Sequence, residues 1–145
     1  MSAWHPEPHE IEALKKLWLM AQHDNGGARV CARLLLGLYN GLRFPFDLTD
    51  LRLLDNDYLE AALTVLRMDS QPAMEVHELL QRAYGWPLMG LRFELMACDW
   101  RLKGRCTAAA EKDLRRQFQE FNARTTQQAL NAVNAAAGKP QGAPA

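Results

Sequence analysis

Residues Ala28 to Tyr39 most constrain what this chain can become. They are apolar nearly all round, with one polar line through Arg29, Arg33 and Asn40 that also carries Gly37. A helix apolar on most of its surface has to sit among other helices. Asn40-Gly41 then supplies a C-terminal stop. The expected fold is all-α: a compact irregular bundle of five to seven helices around this segment. It should form a single helical domain over 1–137, followed by a disordered Gly/Pro/Ala tail from 138 to 145.

The flanking segments repeat helical spacing. Ile11, Leu14, Trp18 and Ala21 mark one face of a helix over His9–Gln22, closed by the turn residues Asp24-Asn25-Gly26-Gly27. A helix over Asp57–Met68 points Leu59, Ala62, Leu63 and Leu66 inward, with Asp57 and Glu60 as a capping box. Ser70 and Pro72 open the next, which runs to about Tyr84 and is broken at Gly85-Trp86-Pro87. Past Gly104, Thr107 caps a last helix with a thin stripe of Ala110, Leu114, Phe118 and Phe121.

Between the second and third helices lies a dense local signal, Phe44-Pro45-Phe46-Asp47-Leu48-Thr49-Asp50-Leu51. Pro45 keeps Phe44 extended. Asp47 is an N-cap, with Asp50 three residues on. Phe46 before the cap and Leu51 at the fourth helical position form a hydrophobic staple. These are structural roles, and they account for Asp47, Asp50, Asp55 and Asp57 without a metal. The EF-hand pattern also wants a Gly that is missing here.

The balance of charge narrows the function. Lys+Arg and Asp+Glu are both 17, so net charge is zero with His neutral. No bulk field draws the chain to nucleic acid or a membrane surface. The distribution is uneven, however: eight acidic and two basic residues over 47–78, six basic and two acidic over 101–116. The latter residues, Arg101, Lys103, Arg105, Lys112, Arg115 and Arg116, flank a helix–Gly–helix junction. Their functional reading is a phosphate-contacting patch for nucleic acid; their plainer one is a solvated face with Glu111–Arg115 as an i,i+4 pair. Arg29 and Arg33, one turn apart on an apolar helix, read as ion-pair partners of the acidic segment 47–57 rather than an anion site.

No enzyme is expected. His5 and His9 are separated by prolines, His23 and His77 are isolated, and no nucleophile–base or phosphate-loop signature appears. No cofactor is implied. Cys31, Cys98 and Cys106 show no C-x-x-C, so neither a disulfide framework nor a structural zinc is expected. Cys31 and Cys98 read as small buried hydrophobes. A reduced cytoplasm is the simplest setting for such cysteines. Met1–Glu12 has no signal-peptide pattern, and no apolar run approaches ~20 residues.

The helix over Leu88–Lys103 carries two apolar stripes. One is Leu88, Leu91, Leu95, Cys98 and Leu102; the other is Met89, Phe93, Met96 and Trp100, roughly 150° away. The core takes one stripe. The second is covered either by other helices of the chain or by a partner. Met and Trp favour interfaces, and the C-terminal stripe is too thin to serve as both core and cover. The expectation is that Met89, Phe93, Met96 and Trp100 form a surface for a protein partner or for a homodimer.

Gly27-Ala28-Arg29, the run Leu34 to Gly41, Arg43 to Asp55, Val65 to Asp69 and Glu75-Val76-His77 together resemble a family of small uncharacterised proteobacterial proteins, often carried on integrative or conjugative elements and phages. The resemblance covers roughly 27–82. It implies a mobile-element setting and no catalytic residue. The function expected is that of a non-enzymatic accessory protein that modulates a host system through protein contacts. The alternative is weak nucleic-acid binding by the basic patch.

Overall fold

The computed structural model describes residues 5–101 and 107–142, with side chains to 137. The fold is all-α. Among the described residues there are six α-helices, one 3₁₀ helix and no strand. The chain separates into two compact units that divide at 107/108. The first holds α1 (Pro8–Ala21), α2 (Gly26–Tyr39), the 3₁₀ helix η1 (Leu48–Leu53), α3 (Asn56–Asp69), α4 (Val76–Tyr84) and α5 (Met89–Asp99). The second is α6 (Ala108–Gly142). The single domain expected over 1–137 spans both units. The tail expected from 138 starts inside α6, and 143–145 lie outside the described residues.

The apolar helix takes the central place its composition demands. Half of α2 is buried, including Val30, Cys31, Leu34, Leu35 and Leu36, and α2 contacts α1, η1, α3, α4 and α5. Leu14, Leu17 and Trp18 of α1 and Ala62, Val65 and Met68 of α3 close the core around it. Burial of such side chains contributes about 1.5–3 kcal/mol each before entropy is charged.

Caps set the boundaries, and two differ from expectation. Asn25 caps α2, its side chain accepting from Ala28 N–H at 2.8 Å, so Gly26 and Gly27 join the first turn. Ser70 does not open α4. Its N–H bonds back to Leu66 O at 3.0 Å and its hydroxyl donates to Arg67 O, which makes it the end of α3. Similarly, α3 starts after Asp55 instead of at Asp57. Gly85 ends α4 at φ +65, a left-handed turn that glycine adopts without strain.

The polar line of α2 turns out to be a docking seam. The segment after the helix folds back along it. Arg33 pairs with Asp50 at 3.8 Å. A Cβ on Gly37 would stand 3.2 Å from Phe44 O and 3.4 Å from Phe46 Cβ, so the missing side chain admits the returning backbone. Asn40 accepts from Arg43 N–H at 3.2 Å. The ion-pair expectation therefore holds for Arg33, while Arg29 is exposed.

Cys31 is free and buried, and burial pushes its thiol up to about 11. Cys98 is buried as expected, but it is disulfide-bonded. That corrects the expectation of unpaired thiols; spacing alone carries no connectivity. No helix among the described residues is long and apolar enough to cross a membrane.

Candidate interaction surface

The segment between α2 and α3 is built like a clamp. Phe44 is buried and Phe46 is half-buried against the core. Asp47 caps η1, accepting from Thr49 N–H at 2.9 Å and from the Thr49 hydroxyl at 2.7 Å. Those bonds hold the Asp47 carboxyl below its ordinary range. Leu51 packs on the core and Leu54 is buried. The expected staple pair, Phe46 and Leu51, thus lies inward. Asp50 does not close a capping box; it turns to Arg33. In a 3₁₀ helix residues three apart share a face, which turns Leu53 away from the face of Leu51 and Leu54; Leu48, at the first position of the helix, stays outside as well. Leu42 is 94% exposed, Leu48 72% and Leu53 66%. Asp47, Asp55, Asp57 and Glu60 are exposed along the same stretch.

A polar cluster fastens this segment to α5. Arg43 grips Glu94 with both guanidinium nitrogens, at 2.5 and 2.9 Å, and the Tyr39 hydroxyl donates to the same carboxylate at 3.3 Å. Burial, and then Glu94, push the Tyr39 phenol up. The Glu94 hydrogen bond raises Arg43 further. Tyr39 also meets the His77 ring edge-on at 5.1 Å, where His77 Nδ1 is buried without a hydrogen bond.

The expected partner stripe on α5 is corrected by this packing. Met89 and Phe93 are 0% exposed and Met96 is buried. Phe93 stacks between Trp18 of α1, at 5.0 Å, and Tyr39 of α2, at 5.2 Å. Trp100 is half-buried against the core. The two stripes exchange roles: Leu88, Leu91 and Leu95 are the half-buried set. Large flexible Met side chains fill gaps between helices as readily as they line interfaces, and α1 and α2 supply the cover expected from a partner.

The basic residues of α6 are largely answered within the helix. Arg115 pairs with Glu111 at 2.8 Å, and Arg116 with Asp113 at 2.5 Å and Glu120 at 2.7 Å. Lys112 is exposed, as is Arg101. Lys103 and Arg105 lie outside the described residues.

Residues 11–101, nearly the whole first unit, match the model of a family of unknown function, DUF7673. The chain belongs to that family. No curated protein and no solved structure matches it. The DUF7673 match thus covers the bundle and the clamp, and α6 lies beyond it.

The exposed leucines escaped the sequence reading. The signal was there: three leucines fall in a turn and a short capped helix, where few of them can reach the core.

Proposed function

We propose that this protein is a non-enzymatic accessory protein that works by binding another protein, and that its contact surface is the 42–53 segment. The observation carrying this is the exposure of Leu42, Leu48 and Leu53 on a segment pinned at Phe44, Leu51 and Leu54. Apolar side chains held out on an ordered scaffold lose little entropy on binding, and they gain from burial. The exposed carboxylates nearby suit a partner with an apolar pocket and a basic rim. That partner is a second protein or a second copy of this chain. The resemblance over 27–82 adds the setting we propose: a proteobacterial mobile element, in which such a protein would modulate a host system.

The test is affinity capture from producing cells with nuclease treatment. The parent is compared with a Leu42→Ser, Leu48→Ser, Leu53→Ser variant. A protein retained by the parent and lost by an equally folded variant supports the reading. Retention by both, or capture that vanishes with nuclease, defeats it. In the latter case the basic residues of α6 become the surface to test.

A further inference from the structure

A cleft of about 660 Å³ opens in the first unit where the start of α1, the 70–75 loop and one face of α4 meet. Its walls are Pro6, Ile11, Met74 and Leu79. Leu79, Arg82 and Ala83 share one face of α4, by their i, i+3, i+4 spacing. Its charged group is Arg82, with His5 beside it, and no carboxylate lines it among the described residues. Arg82 makes no ion pair among the described residues and is exposed. The volume suits a small ligand, and an apolar lining with a few placed polar groups is the usual make-up of such sites. The ends of the cleft differ in chemistry. The Ile11, Met74 and Leu79 walls favour a hydrocarbon chain, and the Arg82 guanidinium favours a carboxylate, which it can meet in two-point geometry.

We propose that this cleft binds an amphipathic carboxylic acid, with its chain against Ile11, Met74 and Leu79 and its carboxylate on Arg82. The site is separate from the leucine segment, so the ligand regulates or accompanies the protein contact and does not replace it. The walls come from three elements that pack on one another, and occupancy should therefore stiffen the α1–α4 junction.

The test uses the full chain and titrates hexanoate, octanoate, decanoate and decanol by calorimetry, below micelle formation. Each added methylene should tighten carboxylate binding by up to about fourfold. Decanoate should bind at least tenfold tighter than decanol. Arg82→Gln, a change at an exposed position, should remove that preference and leave decanol binding as it was. Met74→Trp should weaken every ligand by filling the cleft. Equal affinity for decanol and decanoate overturns the proposal, as does an unchanged preference in Arg82→Gln. Absence of saturable binding overturns it too. So does a peptide with an apolar C-terminus that binds the cleft when decanoate does not.

Discussion

Gly37 shows how one absent side chain shapes the molecule. It sits on the polar line of α2, and the backbone at Phe44 lies where its Cβ would point. Gly37→Ala should make the backbone at Phe44 give by a few tenths of an ångström and cost about 1–3 kcal/mol, as overpacking does. Chemical denaturation would measure this, and the Arg33–Asp50 pair should loosen with it. Asp69 makes a second prediction at this scale. It ends α3, where the helix dipole disfavours an anion. Burial, and then Glu75, raise its carboxyl from 3.8 to about 6. The folded protein therefore holds this proton more tightly than the unfolded chain. The resulting stability is fully present below 3.8 and is lost as pH rises through about 6. Asp69→Asn should unfold at higher denaturant than the parent near about pH 8, and the difference should vanish near about pH 3.5.

Elements were legible where one signal dominated. The apolar girth of Ala28–Tyr39 placed α2 at the centre, and Asp47 with Pro45 fixed the start of η1. Boundaries failed where one residue type can serve two ends. Ser70 looked like an opening cap and closes α3; Gly26-Gly27 looked like a turn and begins α2. The α5 stripes failed for a different reason. Both are apolar at the same helical period, and the choice between them depends on which neighbour arrives. Trp18 and Tyr39 come to Phe93 from other helices, a long-range fact that periodicity does not carry. Phe93→Ala should consequently cost about 3–5 kcal/mol, as large-to-small core changes do. Thermal unfolding would follow this, and a Phe93→Ser, Trp100→Ser double variant should lose the fold instead of keeping its helices. Asp47→Ala should lower the midpoint through the lost cap while leaving the core intact.

At the scale of the whole molecule, apolar surface is divided between two uses. Met89, Phe93 and Met96 are spent inside the bundle that the family match covers. Leu42, Leu48 and Leu53 are held outside it by a clamp anchored at Phe44 and Leu54. The candidate contact site was poorly legible because spacing puts Leu48 on the face of Leu51 and Leu54, and nothing local says that Leu42, Leu48 and Leu53 stay outside while Leu51 and Leu54 pack inward. We propose that the outer set meets a partner and the inner set does not. Hydroxyl-radical footprinting of the purified protein, set beside the same protein inside its producing cells, tests this most directly. Leu42, Leu48 and Leu53 should be oxidised when purified and protected in cells, with Met89 and Phe93 protected in both. Equal oxidation of the three leucines in cells would contradict the account, as would Met89 and Phe93 reacting in the purified protein.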